Sequence, residues 1–217
     1  MILLAIDTSN ELSGLALYQH HTLLAQIQWA SARRHSEQLL PQLDALCRLA
    51  NITPPQITSV AVSLGPGSWS GVRVGISMAK GIALANDAPI IGVSALDLIA
   101  WQWRGIKAIT ACLSLGRGHY AVAHYPATAW QPGNIQPHNV TLSQLADLDT
   151  PTICCEDLVW DQIQSTCPPD TTRIPSSTPP ALVAQIALFT GVDATAVIEP
   201  LYLGEAVITH TKPHMQG

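Results

Sequence analysis

The spacing of apolar residues over the first fifty positions changes from strand-like to helix-like. Short apolar runs at 2–6, 13–18 and 23–29 are separated by polar turns, which predicts an antiparallel meander of three strands. Leucines then recur at helical spacing over 39–46. The chain is therefore predicted to begin with three strands followed by a first helix.

A strand, a tight turn and a second helix follow, and this stretch has the strongest pattern in the chain. The apolar run Val60–Leu64 predicts a buried strand, and a Gly-Pro-Gly turn ends it. From Gly71 to about Asn86 the apolar spacing is again helical, with Ser68 and Ser70 as candidate N-caps. One face of this helix lacks bulky side chains, so the helix can pack closely against a sheet.

The order of elements defines the fold class. Residues 89–93 predict a fifth strand, and a third helix is predicted from Ser94 to about Trp103. A meander followed by right-handed crossovers gives a mixed five-stranded sheet with flanking helices. This α/β order is that of the ribonuclease H-like or actin-like ATPase (ASKHA) fold, and it assigns residues 1–104 to a first lobe.

The remaining residues, 105–217, are less regular and predict a smaller, degenerate second lobe. Residues 106–113 and 120–125 have the pattern of a strand pair, whereas 165–180 are rich in Pro, Ser and Thr and predict an exposed loop. Residues 180–189 predict a short helix that Gly191 ends.

The glycine-rich turn before the second helix is a candidate anion site, because backbone N–H groups at a helix N-terminus attract negative charge. It matches neither the P-loop nor the dinucleotide fingerprint. A tight turn without a ligand explains the same residues equally well. The candidate nucleotide-binding or anion-binding residues, with the end of the first strand included, are Asp7, Thr8, Gly65, Pro66, Gly67, Ser68, Ser70 and Gly71.

Composition limits the classes of partner. The 217-residue chain is 47% hydrophobic and 12% charged, which favours a surface that a partner buries. Its net charge of −5 argues against nucleic-acid binding by the chain alone. The apolar start is short and lacks a basic region, and the five cysteines form no C-x-x-C pair. We therefore expect a cytoplasmic protein without membrane contact.

Several motifs together resemble those of the TsaB (YeaZ) family. The opening Leu4-Ala-Ile-Asp-Thr-Ser9 matches the family's L-A-I-D-T-S, and Arg33-Arg-His-Ser-Glu-Gln-Leu-Leu-Pro41 matches R-x-H-S-E-x-L-L-P. Gly65–Gly75 matches G-P-G-S-F-T-G-x-R-x-G, with Trp69 and Ser70 in the aromatic and hydroxyl positions. The tail Pro200-Leu-Tyr-Leu203 matches P-x-Y-L-R, although Gly204 replaces the arginine.

The resemblance implies a non-catalytic scaffold subunit that pairs with a TsaD-like catalytic subunit and a TsaE-like ATPase to make threonylcarbamoyladenosine in tRNA. It implies contact with tRNA through the complex, no required cofactor, and a homodimer as a second assembly. The catalytic relatives carry a metal-binding H-x-x-x-H after the fifth strand, whereas Ser94–Trp101 contains no histidine. We therefore expect no catalytic residue and no metal site.

Two alternative functions remain open. The first is an ATPase or kinase of the actin-like group that uses the loop at Gly65–Gly71, and a weak ATP or ADP site there remains open in either case. Such an enzyme normally needs a second phosphate loop, and Ser114–Tyr120, where the family has D-A-R-x-G-E-V-Y, offers no clear one. The second alternative is a glycoprotease-like peptidase.

The partner interface is predicted on the first two helices, because their apolar surface is wider than one sheet face needs. His35 and Glu37 lie two residues apart, so they do not face each other as an acid–base pair and suit an interface better. The predicted interface residues are His35, Glu37, Leu39, Leu40, Leu43, Leu46, Arg73, Val74 and Met78.

Overall fold

The computed structural model describes residues 1–32, 34–147, 151–191 and 198–203 of the chain. Arg33, Gly204 and the rest of the predicted second lobe after residue 203 lie outside the described residues. In the described part of the chain, ten strands form two five-stranded sheets.

The first sheet is the mixed sheet that the sequence predicts. Its strands are β1 Ile2–Asp7, β2 Leu12–Gln19, β3 Thr22–Ala30, β4 Ser59–Ser63 and β5 Ile90–Val93. They lie in the order β3-β2-β1-β4-β5, with β1–β2 and β2–β3 antiparallel and β1–β4 and β4–β5 parallel. β4 is fully buried, as expected for a parallel strand covered on both faces.

Helices cover one face of this sheet because each presents an apolar stripe to it. The two helices on this face are α1 His35–Leu49 and α2 Trp69–Asn86. A third helix, α3 Ala95–Ala100, follows β5. In α1 the buried apolar positions are Leu39, Leu43, Leu46 and Cys47, and in α2 they include Val72, Ile76, Ala79 and Ala83. These side chains share one core with β1, β2 and β4.

Two glycines let α2 approach the end of β1. A Cβ atom added at Gly71 would overlap the carbonyl oxygen of Thr8, and one added at Gly75 would overlap the Thr8 hydroxyl. Thr8 Oγ1 donates a hydrogen bond of 2.7 Å to the carbonyl of Gly71. The small face predicted from the sequence is therefore required by the contact that α2 makes with β1.

The second sheet repeats the topology of the first. Its strands are β6 Ile109–Gly116, β7 His119–Tyr125, β8 His138–Thr141, β9 Thr152–Cys155 and β10 Thr172–Pro175. The order β10-β9-β6-β7-β8 has β6–β7 and β7–β8 antiparallel and β6–β9 and β9–β10 parallel. Read from β8, the second sheet therefore has its third, second, first, fourth and fifth strands in that order, as the first sheet does when read from β3.

The second lobe is smaller in its helices rather than in its number of strands. Its crossover helices, α4 Leu142–Leu145 and α5 Asp157–Ile163, are much shorter than α1 and α2. The exposed loop predicted over 165–180 is wrong in part, because it contains β10. β10 is an edge strand with one neighbour, so its sequence lacks the long apolar run of a central strand.

The last described helix returns to the first sheet. α6, Ala181–Thr190, follows β10 and ends at Gly191 as the sequence predicts. Its apolar residues pack with side chains of β1, β2, β4 and β5 on the face opposite α1 and α2. The boundary at residue 104 stays a prediction, but α6 adds to the first lobe although it lies far beyond that boundary.

In the part of the chain that the structure describes, no helix combines the length and the apolar content needed to cross a bilayer.

Replacing Gly71 tests the contact between α2 and β1. We expect Gly71→Ala to lower the free energy of unfolding by about 2 kcal/mol or more, since the new methyl group must displace the backbone of Thr8. Gly81→Ala is the matched control on the same helix, because a Cβ there meets no atom within 4 Å. Alanine favours helix by about 1 kcal/mol over glycine, so this control should be slightly more stable.

Urea unfolding followed by circular dichroism measures both variants. A Gly71→Ala protein as stable as the parent chain would show that α2 does not depend on this close approach.

Candidate functional site

A cleft of about 1340 Å³ lies between the two lobes. Its first wall is formed by the turn after β1, residues 9–11, and by the loop residues 66–69. Its second wall is formed by the β6–β7 turn and by α5, and residues 201–203 cross between the walls. The cleft is the place where the glycine-rich loop predicted from the sequence could meet a ligand.

The glycine-rich loop is fixed by its own hydrogen bonds. The Ser68 N–H donates to the carbonyl of Ser9 at 2.7 Å, and a Cβ at Gly67 would overlap that same carbonyl oxygen. Ser68 is the N-cap of α2, and its hydroxyl accepts a hydrogen bond from the Gly71 N–H at 3.3 Å. Trp69 and Ser70 then open the helix, so their N–H groups have no partner within it.

Only part of the predicted anion site faces the cleft. Pro66, Gly67 and Ser68 line it. The other predicted residues lie outside its lining, and they are Asp7, Thr8, Gly65, Ser70 and Gly71. Ser70 is exposed, and the other four are buried behind the loop, where they join β1 to α2.

Asp7 forms an Asx-type turn, which is the structural alternative that the sequence left open. Its Oδ1 accepts hydrogen bonds from the Ser9 N–H at 3.0 Å and from the Ser9 hydroxyl at 2.6 Å. Burial raises the pKa of the Asp7 carboxyl, although the bonds from Ser9 act in the opposite direction. Across the described residues, no group of three or more His, Cys, Asp or Glu side chains is arranged to hold a metal ion.

The opposite wall contains a second glycine-containing turn that the sequence analysis missed. Gly116, Arg117 and Gly118 connect β6 to β7, and all three have positive φ angles. Gly116 and Arg117 line the cleft and face the first loop. A Gly-Arg-Gly run between two alternating strands is a hairpin signal, but comparison with the family's D-A-R-x-G-E pattern made it resemble a lost motif.

Carboxylates in the cleft oppose the binding of an anion. Glu11 lines the first wall and Glu156, at the start of α5, lines the second. Burial raises the pKa of the Glu156 carboxyl, and nearby carboxylates, Glu11 foremost, raise it further. A phosphate in the cleft would therefore meet two acids as well as Arg117.

His35 is buried, so its prediction as an interface residue is wrong. Its Nδ1 lies 3.0 Å from the Ser13 hydroxyl, and its Nε2 lies 3.5 Å from the Ser31 hydroxyl. Burial lowers the pKa of the imidazole, which favours the neutral ring. Ser13 and His35 have the spacing of a nucleophile and a base, but Ser13 is 0% exposed, so a peptide carbonyl cannot reach it.

The segment after β5, in which the sequence predicts no metal site, contains a buried acid that connects parts of the fold. Asp97, in α3, is 1% exposed and accepts hydrogen bonds of 2.8 Å from the Tyr125 hydroxyl and from the Gly133 N–H. Burial raises the pKa of the Asp97 carboxyl. This side chain connects α3 to β7 and to the loop that follows β7.

A second concave surface, the α1–α2 groove, lies on the outer side of the first lobe and has a volume of about 510 Å³. From α1 it is lined by Ser36, Leu39 and Leu40, and from α2 by Arg73, Val74, Ser77, Met78, Gly81 and Ile82. Leu40 is 63% exposed, and it joins the other apolar side chains of the lining in one contiguous surface.

Some of the predicted interface residues line the groove, and others lie elsewhere. Leu40, Arg73, Val74 and Met78 line it, as does Leu39, which is nearly buried at its base. Leu43 and Leu46 are wrong as interface residues, because they face the sheet within the first core. Glu37 is exposed outside the groove lining and forms an ion pair of 2.8 Å with Arg34.

The tail motif crosses the mouth of the cleft, and its contacts were missed from the sequence. The Leu201 N–H donates to the carbonyl of Leu64 at 2.8 Å, and the Asn139 side chain donates to the carbonyl of Leu203 at 2.9 Å. Tyr202 stacks on Trp69 with ring centroids 4.1 Å apart. Residues 198–203, the strap, therefore join the first loop to the second lobe.

Sequence comparison identifies similar proteins over about half of the chain. The family model described as TsaD, tRNA N6-adenosine threonylcarbamoyltransferase, matches residues 23–129. The tRNA threonylcarbamoyladenosine biosynthesis protein TsaB of Bacillus subtilis (strain 168) is 37% identical over 104 residues, which are 48% of this chain and 45% of that protein. The TsaB protein of Escherichia coli (strain K12) is 34% identical over 128 residues, 58% of this chain and 55% of that protein.

Comparison of structures extends over nearly the whole chain. YeaZ from Pseudomonas aeruginosa superposes with a TM-score of 0.74 at 22% identity and covers 93% of this chain and 99% of that structure. At this identity the likeness establishes the fold. It confirms the predicted actin-like α/β class, to which the structure adds a second mixed five-stranded sheet.

The sequence matches and the fold agree with the motifs at Leu4–Ser9 and Gly65–Gly75. In sequence, the chain spans about half the length of the curated relatives it matches. The matched stretches are 34–37% identical to proteins that carry the TsaB name. These comparisons confirm the resemblance of the chain to the TsaB (YeaZ) family.

Proposed function

We propose that this chain is a non-catalytic scaffold subunit in the synthesis of threonylcarbamoyladenosine in tRNA. It pairs with a TsaD-like catalytic subunit, acts together with a TsaE-like ATPase in the cytoplasm, and meets tRNA through the complex. The α1–α2 groove carries this proposal, because it is an apolar surface on the outside of a folded lobe.

The similarity to the catalytic family supports the choice of partner. The TsaD family model matches residues 23–129, which include all of α1 and α2. A catalytic subunit of that family therefore carries counterparts of the same two helices. Two such helix pairs can pack across a pseudo-twofold axis, and two copies of this chain can pack in the same way. Homodimer and heterodimer then compete for one surface.

The alternative function, an ATPase or kinase, depends on the cleft. Pro66–Ser68 and Arg117 favour it, because a helix N-terminus and a guanidinium both attract phosphate. Glu11 and Glu156 oppose it, and Asp7 is held by Ser9 beneath the loop. A weak ATP or ADP site in the cleft is compatible with the scaffold function, which does not require a cofactor bound to this chain.

Reconstitution tests the scaffold function. The purified chain, its cognate TsaD, a TsaE-like ATPase, threonylcarbamoyl-adenylate and tRNA are combined, and the modified nucleoside is measured by mass spectrometry. We expect no product from this chain alone and product when the catalytic subunit is added. Modification of tRNA by the lone chain would contradict the proposal.

Asp7→Asn in the same reconstitution tests whether the Asp7 carboxylate, which lies beneath the loop and outside the cleft lining, takes part in chemistry. We expect product formation within about twofold of the parent complex. Burial raises the pKa of Asp7, so ionisation of this group costs stability as pH rises above its unfolded pKa. Asparagine removes that cost at neutral pH, and the variant should be at least as stable. Loss of product from an intact Asp7→Asn complex would show that this carboxylate has a chemical role beyond the turn it forms with Ser9.

A charge in the α1–α2 groove tests the interface. Val74→Glu places a carboxylate among apolar side chains, and we expect it to weaken association with the catalytic subunit by about 3 kcal/mol or more. Sedimentation should show a folded monomer. Met78→Glu should behave in the same way, because Met78 lines the same groove.

Ile106→Glu is the control for Val74→Glu. Ile106 is also β-branched, is 71% exposed and lies before β6, outside the groove lining. The control should assemble like the parent chain. An interface elsewhere is indicated if both groove variants still form dimers and still bind the catalytic subunit.

A further inference from the structure

The α1–α2 groove combines an apolar lining with one cation. Among the described residues that line it, Arg73 alone carries a charge, and the others are apolar, serine or glycine. A partner that fills this groove with apolar side chains alone would desolvate the guanidinium of Arg73 without compensation. The groove therefore suits a partner surface that is apolar and places one negatively charged hydrogen-bond acceptor near Arg73.

The Arg73 side chain lies over the ring of Trp69, which stacks on a second aromatic ring. Its guanidinium carbon lies 5.0 Å from the centroid of the Trp69 ring, one helical turn earlier in α2. Trp69 in turn stacks on Tyr202 with an interplanar angle of 26°. The three side chains form a continuous stack, the Arg73–Trp69–Tyr202 stack, between the groove and the cleft.

The strap fixes the far end of this stack. The Leu201 N–H is hydrogen-bonded to the Leu64 carbonyl, and the Leu203 carbonyl is hydrogen-bonded to the Asn139 side chain of the second lobe. Ile198, at the beginning of the strap, is 8% exposed and packs in the first core. Tyr202 therefore has little freedom to leave Trp69, and its ring restricts the positions that Trp69 and Arg73 can adopt.

We propose that Arg73 is the specificity-determining residue of the groove, that it pairs with a carboxylate of the TsaD-like catalytic subunit, and that Trp69 and Tyr202 are its positioning residues. This proposal rests on the proposed function. An arginine that is already oriented loses less side-chain freedom when it binds a carboxylate. The tail motif thus contributes to an interface that it does not line.

Charge complementarity favours the catalytic subunit over a second copy of this chain as the source of that carboxylate. The acidic residue of this chain closest in sequence to the groove positions of α1 is Glu37, and Arg34 already binds its carboxylate. In a second copy, Arg34 would therefore share or compete for the carboxylate that Arg73 needs. A different subunit can supply an unpaired carboxylate.

Binding of the cognate catalytic subunit to the full chain, measured by calorimetry at two salt concentrations, tests the proposal. We expect Arg73→Gln to weaken binding about tenfold and to reduce its salt dependence. Lys80→Gln is the matched control, because it removes a cation from the same helix outside the groove lining, and its affinity should stay within about twofold.

Tyr202 variants test the positioning role. We expect Tyr202→Ala to weaken binding about threefold, from loss of the ordered stack, and Tyr202→Phe to restore parent affinity because it keeps the ring. The double variant Arg73→Gln/Tyr202→Ala should bind as Arg73→Gln does, since Tyr202 acts through Arg73. Thermal unfolding of each variant separates these effects from loss of the fold.

Three results would overturn the inference: parent affinity in Arg73→Gln, equal losses in Arg73→Gln and Lys80→Gln, or full additivity in the double variant. Weakening by Arg73→Gln of the homodimer alone would also overturn it and would assign the carboxylate to a second copy. Failure of the proposed function is distinguishable, because Val74→Glu would then leave binding of the catalytic subunit intact.

Discussion

The approach of α2 to the end of β1 determines the geometry of both candidate surfaces. Gly71 and Gly75 allow the backbone of α2 to lie against Thr8, and the Thr8 hydroxyl then bonds to the carbonyl of Gly71. A Cβ at Gly71 would also lie 3.1 Å from the ring of His35, the first residue of α1. Both helices therefore start from one tightly packed point beside β1. The bulkier residues of α2, Val74 and Met78, are directed to the groove.

The same packing uses polar groups near the cleft to hold the fold together. Polar groups that could face a ligand instead support the fold: Asp7 holds Ser9, Ser68 caps α2, and Asp97 holds Tyr125 and Gly133. These bonds satisfy buried polar atoms that would otherwise be costly. In this account, the packed first lobe is a platform for α1 and α2, and the apolar α1–α2 groove is the proposed functional surface.

The sequence predicted the first lobe well because its elements are long and periodic. The apolar stripe of α2 and the meander of β1–β3 are signals that tertiary contacts reinforce. β8, β9 and β10 have four residues each, too few for period-two alternation to distinguish them from loop. The repeated sheet topology was therefore visible only once the strands were paired.

The candidate sites were predictable from the sequence only in part. Leu40, Val74 and Met78 were found in the groove because they exceed the apolar width that the sheet requires. Leu43 and His35 were misplaced, since one helical pattern cannot say which of two apolar edges faces a sheet. The Arg73–Trp69–Tyr202 stack joins residues more than a hundred positions apart, and no local pattern carries such a contact.

Methyl resonances of methionine offer the most direct test of the groove as the docking surface. The chain has three methionines, of which Met78 lines the groove and Met1 is 47% exposed at the start of the chain. With ¹³C-labelled methionine methyl groups, addition of the cognate catalytic subunit should shift or broaden the Met78 resonance and leave the Met1 resonance unchanged. An unchanged Met78 resonance in a sample where sedimentation proves the complex has formed would contradict the account.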